Sequence, residues 1–305
     1  MAHSALHRDR ALGSLLGLAI GDALGTTVEF KPRGSFPPLT DLVGGGVFHL
    51  KPGQWTDDTS MALCLADSLI ACNGLDQRDL AERFLRWRQH GENSVTGKCF
   101  DIGRATSEAL ARFAATGDPL AGSTDPHDGG NGSLMRLAPI ALRFRDPATA
   151  RHEARRQSAV THASPECLDA CEFFVELLLD AIDGLAKEAL LAPRQRALTP
   201  KIAAIAAGTW QQKKVAQISS SGYVVHTLEA ALWCVHNTNS FQDAVLRAAN
   251  LGNDADTVAA VTGQLAGALW GLSSIPTAWL DLVAWRVDIV ARATHLWDAG
   301  VLPDR

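Results

Sequence analysis

Residues 252–263 read Gly252-Asn253-Asp254-Ala255-Asp256-Thr257-Val258-Ala259-Ala260-Val261-Thr262-Gly263, and the sequence changes character in the middle of this stretch. The run of small apolar residues after Thr257 predicts a buried helix, which places two carboxylates where the helix enters the interior. Carboxylates are rarely buried without a cation or a set of hydrogen bonds. The alternative is an acid-rich helix start, with an N-cap and acids at the positive end of the helix dipole. The cluster alone leaves both interpretations open.

Glycine recurs at every fourth position of a helix predicted for residues 9–26, which aligns these glycines on one face. A matching row lies in the helix that follows the acidic cluster. The two rows are Gly13, Gly17, Gly21 and Gly25, and Gly263, Gly267 and Gly271. Because each glycine costs a helix about 1 kcal/mol relative to alanine, so many on one face need a structural reason. We therefore predict that these two helices cross in the core with their backbones in close contact.

A second acidic cluster, Thr56-Asp57-Asp58, precedes another apolar helix, predicted for residues 62–71. The capping interpretation applies to it as well, but two clusters of this form favour one shared cation site. Both clusters offer only oxygen ligands, which suit Mg²⁺ or Mn²⁺, and the lack of a neighbouring histidine disfavours zinc. Four aspartates around one centre would repel one another strongly, so we predict two divalent cations. Such a pair can clamp vicinal oxygens and lower the pKa of a water molecule.

Other candidate residues lie between the two acidic clusters. A glycine-rich loop at residues 128–133 leads into a helix predicted for residues 133–142, and such a loop exposes N–H groups suited to phosphate. His162 lies between two predicted helices, where a histidine is more often a capping or core residue than a ligand. Tyr223, the only tyrosine, and Phe100 are candidates to flank a base or a sugar. Together these features suggest a phosphorylated nucleoside with a cis-diol as the ligand.

The pattern of the whole chain is helical. Alternation typical of strands is almost absent, and residues 279–297 are predicted as the last helix. Residues 184–222 are mixed in character and receive no assignment. Since no linker separates regions of different composition, we predict an all-α fold in which residues 1–305 form a single compact domain, with its core at about residues 10–297.

Composition restricts the classes of partner and compartment. Of the 305 residues 47% are hydrophobic, and a net charge of -5 with a pI near 6.0 argues against a nucleic-acid-binding surface. The six cysteines form no CxxC pair, which indicates free thiols in a reducing compartment. The N-terminal residues lack the form of a signal peptide, and the apolar segment 11–20 is too short to span a bilayer. We therefore expect a soluble cytoplasmic protein without a membrane partner.

Four segments in combination resemble the ADP-ribosylglycohydrolase family, in particular the branch that activates dinitrogenase reductase. They are Gly17-Leu18-Ala19-Ile20-Gly21-Asp22-Ala23-Leu24-Gly25 with Glu29, Trp55-Thr56-Asp57-Asp58-Thr59, Gly130-Asn131-Gly132-Ser133-Leu134-Met135-Arg136 and Leu251-Gly252-Asn253-Asp254-Ala255-Asp256-Thr257. The resemblance extends from about residue 10 to residue 290. It implies an orthogonal multi-helix fold, two Mg²⁺ or Mn²⁺ ions and the removal of ADP-ribose from modified proteins.

The resemblance also implies roles for individual residues. The metal ligands would be Thr56, Asp57, Asp58, Asp254, Asp256 and Thr257. The residues around the diphosphate and distal ribose would be Asn131, Gly132, Ser133 and Met135, with His162 near the phosphates or adenine and Tyr223 beside the adenine or ribose. Phe100 and Asp101 lie in a segment, residues 97–103, that resembles the one in arginine-directed members. Glu29, Asp101 and Asp256 would be catalytic, and Asp101 would hold the guanidinium by a charge-assisted pair.

The implied activity is hydrolysis of the N-glycosidic bond of ADP-ribosylated arginine on a protein, which releases ADP-ribose. The two ions would hold the 2′- and 3′-hydroxyls of the distal ribose beside a water molecule that Glu29 or an aspartate orients or deprotonates. An ADP-ribosyltransferase or a toxin is a candidate functional counterpart. Two alternatives stay open: the same fold acting on a serine, nucleic-acid or small-molecule linkage, and a binding homologue without catalysis. A binding homologue would be expected to lack metal-site aspartates, and none is missing here.

Overall fold

The computed structural model describes the backbone of residues 2–300 and the side chains of residues 5–300. This part of the chain consists of helices and turns, with three isolated bridge pairs and no strand, which confirms the predicted all-α fold. The α-helices are α1 (Ala2–Gly25), α2 (Asp57–Ala71), α3 (Gln77–His90), α4 (Arg104–Thr116), α5 (Ala138–Arg143), α6 (Pro147–Ala159), α7 (Pro165–Ile182), α8 (Lys187–Leu190), α9 (Pro200–Ala206), α10 (Val224–His236), α11 (Phe241–Ala249), α12 (Ala255–Trp270), α13 (Thr277–Leu282) and α14 (Arg286–Ala299). The 3₁₀ helices are Val215–Gln217 and Leu272–Ser274.

Helices α1 and α12 cross backbone against backbone, as the glycine rows predict. A Cβ on Gly17 would overlap the carbonyl oxygen of Gly263, and a Cβ on Gly267 would overlap that of Gly13. The facing pairs along the crossing are Gly13–Gly267, Gly17–Gly263, Gly21–Ala259 and Gly25–Ala255. Close packing of the two backbones therefore offsets the low helix propensity of the glycines. It also brings the end of α1 against the start of α12.

Gly271, the last glycine of the predicted row, is the C-cap of α12, and its backbone lies against Gly13. Its φ of 87° lies in the left-handed region, which a residue with a Cβ adopts only at a cost. The carboxylate of Asp9 in α1 lies against this glycine and accepts hydrogen bonds from the N–H and Oγ of Ser273, at 3.1 and 2.9 Å. The chain therefore leaves the helix axis at the point where α1 would otherwise block it.

The predicted helices all have different bounds in the structure: α1 and α2 begin earlier than predicted, at Ala2 and Asp57, and two further helices differ as follows. Residues 133–137 form turns before α5, because Pro139 lacks an N–H group and is accommodated only in the first helical turn. The predicted helix 279–297 is divided into α13 and α14 at Trp285, whose φ is 58°. The indole of Trp285 packs edge-on against that of Trp55, with ring centroids 5.2 Å apart. The break therefore holds this corner on the segment that leads into α2.

Helix α12 lies at the centre of the fold. It packs against α1, α7, α10 and α11, and the buried apolar side chains form one cluster that runs from Ala11 to Trp297. The assignment of residues 1–305 to one domain stays a prediction, and residues 1 and 301–305 lie outside the described part of the chain. Among the helices that are described, none has the length and apolar character needed to cross a bilayer.

Candidate metal centre and substrate cavity

Carboxylates from several parts of the chain converge on Asp256, in the first turn of α12. Three sets of acids each have carboxylate oxygens within 4.8 Å of one another, so the members of each set could share one cation. The sets are Asp22–Asp58–Asp256, Glu29–Asp254–Asp256 and Asp57–Asp101–Asp256. Asp256 belongs to all three sets and is therefore the centre of the group, which we call the acidic cluster.

The acidic cluster lacks enough donors and positive charge to satisfy its oxygens. Among the described residues, four buried carboxylate oxygens have no hydrogen-bond partner: Glu29 Oε2, Asp58 Oδ1, Asp101 Oδ2 and Asp256 Oδ1. Burial, and then repulsion by neighbouring acids, holds the pKa values of Glu29, Asp57, Asp58 and Asp256 well above their ordinary range. Buried carboxylates of this density need a cation, and an all-oxygen set suits a hard divalent one. The residues present therefore fit a divalent metal centre.

Asp22 is a member of the cluster that the sequence analysis did not select. From α1, its carboxylate accepts hydrogen bonds from the N–H and Oγ1 of Thr56, both at 2.8 Å, and from the N–H and Oγ1 of Thr59, at 3.0 and 2.6 Å. Thr56 is the N-cap of α2 but its own hydroxyl makes no cap bond, so Asp22 caps this helix from another element. Burial nevertheless raises the pKa of Asp22 to about 6.

A sequence signal for Asp22 was available. A capping box places Glu or Gln three residues after the N-cap, where its side chain returns to the N-cap N–H. Here position 59 is threonine, which cannot accept for Thr56 in that way. The buried start of α2 therefore required an acceptor from elsewhere, and Asp22 is the acid in the apolar part of α1, whereas Asp9 lies near its polar start.

The two predicted threonine ligands both lie beside aspartates of the cluster. Thr56 Oγ1 is 3.4 Å from Asp256 Oδ2, and Thr257 Oγ1 is 3.4 Å from Asp58 Oδ2. The Thr56 hydroxyl donates its single hydrogen to Asp22, which is the nearer of its two acceptors. The lone pairs of the Thr56 oxygen therefore remain available for a cation.

Three non-glycine residues in or next to the acidic cluster have left-handed backbones. They are Phe30 (φ 60°), Asp101 (φ 61°) and Asn253 (φ 58°), and such a conformation costs on the order of 1 kcal/mol each. The N–H of Phe30 donates to the carbonyl of Asn253 at 2.7 Å, and the N–H of Asn253 donates to the carbonyl of Lys31 at 2.8 Å. These two bonds tie the loop that carries Glu29 to the loop that precedes α12. Three of the seven non-glycine residues with positive φ in the described part of the chain thus lie at the acidic cluster.

A cavity of about 490 Å³ adjoins the acidic cluster and has the volume of a small-molecule site. Its lining includes the acids and hydroxyl Glu29, Asp57, Asp101, Asp254, Asp256 and Thr257, and the predicted substrate residues Asn131, Gly132, Met135, His162 and Tyr223. Thr56, Asp58, Ser133 and Phe100 are not part of the lining. The structure therefore places most of the predicted metal and substrate residues around one space.

His162 lies against the glycine-rich loop. A Cβ on Gly132 would lie 2.7 Å from Cε1 of His162, and one on Gly130 would lie 3.1 Å from Nε2, so the ring needs glycine at these positions. Nδ1 is hydrogen-bonded to Thr161 Oγ1 at 2.8 Å. Burial lowers the pKa of His162 to about 3, so the imidazole is neutral at physiological pH. It offers the cavity a ring nitrogen and an apolar face rather than a charge.

Two polar residues of the same loop are already engaged by the protein. The Asn131 amide donates to Asp254 Oδ2 at 2.6 Å and to Thr227 Oγ1 at 2.8 Å, so it orients a carboxylate of the cluster. The buried hydroxyl of Ser133 accepts a hydrogen bond from Ser158 Oγ at 2.7 Å. Because a buried hydroxyl requires a partner, the Ser133 side chain is held in the core and not in the predicted cradle for the diphosphate.

Tyr223 is joined to two charged residues that the sequence analysis did not identify. Its hydroxyl donates to Glu166 of α7, and Lys201 Nζ of α9 lies 2.6 Å from the same hydroxyl and 3.3 Å from Glu166. Lys201 belongs to residues 184–222, which had no assignment. This segment therefore supplies a cation next to a residue of the cavity lining.

Phe100 lies outside the cavity, although it was expected to flank a base or a sugar. Its ring packs edge-on against Phe48, with centroids 5.1 Å apart, while the next residue, Asp101, belongs to the acidic cluster. The left-handed backbone at Asp101 separates the direction of the ring from that of the carboxylate.

Comparisons with known proteins agree with this geometry. The family model described as ADP-ribosylglycohydrolase matches residues 3–304. Relatives from Pseudomonas putida and Serratia proteamaculans, both named ADP-ribosylarginine hydrolase Tri1, are 52% and 49% identical over 95% of this chain and 78% and 79% of their own. An ADP-ribosyl-[dinitrogen reductase] glycohydrolase of Rhodospirillum rubrum is 34% identical over 92% of both chains.

A solved structure, titled ADP-ribosylglycohydrolase-related protein complex, has the same fold. It superimposes with a TM-score of 0.87 and 43% sequence identity, over 97% of this chain and 99% of that one. The match to the family model covers both acidic segments, the glycine-rich loop and both crossing helices. The chain belongs to the ADP-ribosylglycohydrolase family.

Proposed function

We propose that the protein is a hydrolase that cleaves the N-glycosidic bond between ADP-ribose and an arginine side chain on a modified protein. The observation that carries the proposal is the convergence of carboxylates on Asp256, with unpartnered oxygens, beside a cavity of suitable volume. The names of two relatives near 50% identity support arginine as the linked residue.

Two divalent cations, Mg²⁺ or Mn²⁺, fit the donor set. The residues that would hold them are Thr56, Asp57, Asp58, Asp254, Asp256 and Thr257. When bound, such ions hold vicinal hydroxyls, lower the pKa of a water molecule and offset negative charge. Asp22 differs from these residues because all four of its hydrogen bonds are directed at α2. It fixes Thr56 and the first turn of α2, and through them the positions of Asp57 and Asp58.

The other side of the cavity binds and orients the nucleotide. Gly132 and Met135 lie beside the diphosphate and distal ribose, and the neutral His162 contributes a ring nitrogen without adding charge. Tyr223 contacts the adenine or its ribose. Lys201, next to Tyr223, offsets part of the charge of the diphosphate.

Glu29 transfers the proton, and Asp101 binds the leaving group. Glu29 lines the cavity, and its unpartnered Oε2 is placed to accept a proton. Water adds to C1″ of the distal ribose, the bond from C1″ to the guanidinium nitrogen breaks, and Glu29 passes the proton of the water to the leaving nitrogen. Asp101 holds the guanidinium through a charge-assisted pair. The products are ADP-ribose and unmodified arginine.

The substrate in the cell would be a protein modified by an arginine-specific ADP-ribosyltransferase or toxin, and the reaction would take place in the cytoplasm. The net charge of -5 agrees with a protein substrate and not a nucleic acid.

Asp256→Ala tests the proposal. With Mn²⁺ or Mg²⁺, the wild-type protein should release ADP-ribose from an arginine-modified protein, and the variant should lose at least about 1000-fold in kcat because every set of acids includes Asp256. Excess chelator should abolish wild-type turnover. Asp288→Ala is the matched control, since Asp288 is an exposed aspartate in the first turn of α14.

Two results would contradict the proposal. Full turnover by Asp256→Ala, or by the wild type in excess chelator, would remove the role of the acidic cluster. Release of ADP-ribose from serine or nucleic acid, with none from arginine, would retain a hydrolase but overturn the proposed linkage.

A further inference from the structure

Three phenylalanines from separate parts of the chain form a row beside the cavity, which we call the aromatic rim: Phe30, Phe48 and Phe100. The rings of Phe30 and Phe48 meet edge-on with centroids 6.5 Å apart, and those of Phe48 and Phe100 meet with centroids 5.1 Å apart. Phe30 is 62% exposed, and Val47, beside Phe48 in the chain, is 52% exposed. Phe48 and Phe100 are partly buried, so the rim is an apolar surface that the described fold leaves partly uncovered.

The position of Phe30 is costly in two ways. Its φ of 60° is unfavourable for a bulky side chain, and most of its ring faces solvent. A left-handed turn at residue 30 is explained by the need to position Glu29 in the acidic cluster. Glycine or asparagine, however, adopts that backbone at lower cost than phenylalanine. The backbone geometry therefore does not account for the ring. An exposed ring held in a strained position indicates a contact with something outside the chain.

The turn that carries Phe48 is fixed in place. The N–H of Gly45 donates to the carbonyl of Leu50 at 2.7 Å, and the N–H of Leu50 returns a bond to Gly45 at 2.9 Å. A Cβ on Gly46, whose φ is 68°, would overlap the carbonyl oxygen of Thr26. Gly46 thus packs the turn against the segment between α1 and Glu29. The rim is preorganised, which reduces the entropy lost when a partner binds.

The rim is continuous with the mouth of the proposed active site. Phe30 of the rim and Asp101 of the acidic cluster both line the cavity. In the chain, Phe30 follows Glu29 of the acidic cluster, and Asp101 follows Phe100 of the rim. The acidic lining of this end complements a guanidinium cation. An arginine that reaches the acids from a folded protein therefore carries its neighbouring residues across the rim.

We propose that the aromatic rim docks the protein that carries the modified arginine, through apolar residues next to that arginine. The proposal rests on the proposed function, since it assigns the surface that recognises the protein part of the same substrate. Rigid aromatic rings make large contacts at low entropic cost, so they suit a surface that must accept a protein and then release it.

The test compares two substrates that share the same bond. One is a folded protein ADP-ribosylated on arginine; the other is ADP-ribosylated agmatine, which has the guanidinium but no protein surface. We expect Phe48→Ser to lower kcat/KM for the protein about tenfold, mainly through KM, as for an aromatic interface residue. For the agmatine compound kcat/KM should stay within about twofold of wild type, because neither Phe48 nor Val47 lines the cavity.

Val47→Ser provides a second variant in case Phe48→Ser disturbs the turn, and it should lower kcat/KM for the protein alone by about threefold. Val287→Ser is the matched control, since Val287 is a 79% exposed valine on α14 that does not line the cavity. It should leave both substrates unaffected.

Three outcomes overturn the docking role. An equal loss with both substrates would assign the rim to the chemistry of the cavity. Unchanged turnover of both substrates in both rim variants would leave the rim without a role in recognition. A concentration-dependent dimer that Phe48→Ser dissociates, with unchanged turnover of the protein, would identify a second copy of the chain as the occupant. In each case the wild type still hydrolyses both substrates, whereas a wild type inactive on both would overturn the proposed function itself.

Discussion

The crossing of α1 with α12 and the acidic cluster at the end of that crossing differ in what they need from outside the chain. Along the crossing, glycine backbones contact each other so closely that a Cβ on Gly267 would overlap the carbonyl of Gly13. At the end of the crossing, Asp22 of α1 and Asp256 of α12 belong to one set of carboxylates, several of which have unpartnered oxygens. The first region is completed by the chain, and the second requires a cation.

The comparison explains why the two regions adjoin. Like charges that repel one another separate unless a rigid framework holds them, and paired helix backbones without intervening side chains provide such a framework. The crossing is therefore the source of rigidity for a site that destabilises the fold when no cation is bound. The predictions with the larger effects alter one side of this pair, and the one with the smallest effect concerns the cavity beside it.

Gly267→Leu should have the largest effect, because its side chain would have to displace the backbone of α1. We expect a loss of at least about 5 kcal/mol in the free energy of unfolding, enough to unfold a typical domain. Circular dichroism with urea unfolding measures it. Gly74→Leu is the control, since nothing lies within 4 Å of a Cβ at Gly74, and it should change stability by less than about 1 kcal/mol. A cooperatively folded Gly267→Leu protein of wild-type stability would refute the close crossing.

Asp22→Ala should have an intermediate effect, because it removes the acceptor of four hydrogen bonds from Thr56 and Thr59. Two buried N–H groups would be left unpaired, which predicts a loss of about 3 kcal/mol. Metal affinity should fall by at least about tenfold, as for residues that orient ligands. Chemical unfolding and calorimetric metal titration provide the two readouts.

Asp76→Ala is the matched control for the capping role of Asp22. Asp76 is an ordinary N-cap of α3 that accepts from the N–H groups of Arg78 and Asp79, so its loss should cost about 1 kcal/mol without changing metal affinity. Equal effects of the two substitutions on both readouts would mean that Asp22 is no more than a helix cap.

Lys201→Met should have the smallest effect, because its ammonium group is exposed and screened by solvent. We expect KM for the ADP-ribosylated substrate to rise about threefold with kcat unchanged, and the difference to shrink in high salt. Lys213→Met is the control, since Lys213 also pairs with a glutamate, Glu229, but its ammonium group does not contact a residue of the cavity lining as Lys201 contacts Tyr223. A fall in kcat without a change in KM would contradict the prediction that Lys201 acts only in substrate binding.

Local sequence patterns predicted the crossing and both acidic segments. Glycine spacing identifies a helix face, and the shift from acids to small apolar residues marks where a helix enters the core. The same kind of reasoning missed the division of residues 279–297 at Trp285, because the left-handed turn there depends on contact with Trp55 from a distant part of the chain.

The residues missed at the site have a similar explanation. Asp22 acts through Thr56 and Thr59, and Lys201 acts beside Tyr223 and Glu166; both relationships join segments that are remote in sequence. Phe100 lies outside the cavity because its ring packs against Phe48, a residue remote in sequence.

The stability of the metal-free protein as a function of pH tests the central claim most directly. Burial raises the pKa of Asp22 and Asp254 to about 6 and that of Asp101 to about 7 in the folded protein. Between about pH 4, where aspartates titrate in the unfolded chain, and these raised values, the folded protein binds more protons than the unfolded chain. The stability that these three groups contribute is therefore fully present below about pH 4 and is lost as the pH rises through their raised pKa values.

Divalent cations replace these protons, so Mn²⁺ should stabilise the protein more at high pH than at low pH. We predict that the Tm in excess chelator falls between pH 5 and pH 8 and that Mn²⁺ restores it. At a Mn²⁺ concentration 100 times Kd, each bound ion should contribute about 2.7 kcal/mol at pH 8, and the gain should be smaller at pH 5. A Tm that neither falls with pH in chelator nor rises with Mn²⁺ would contradict the account.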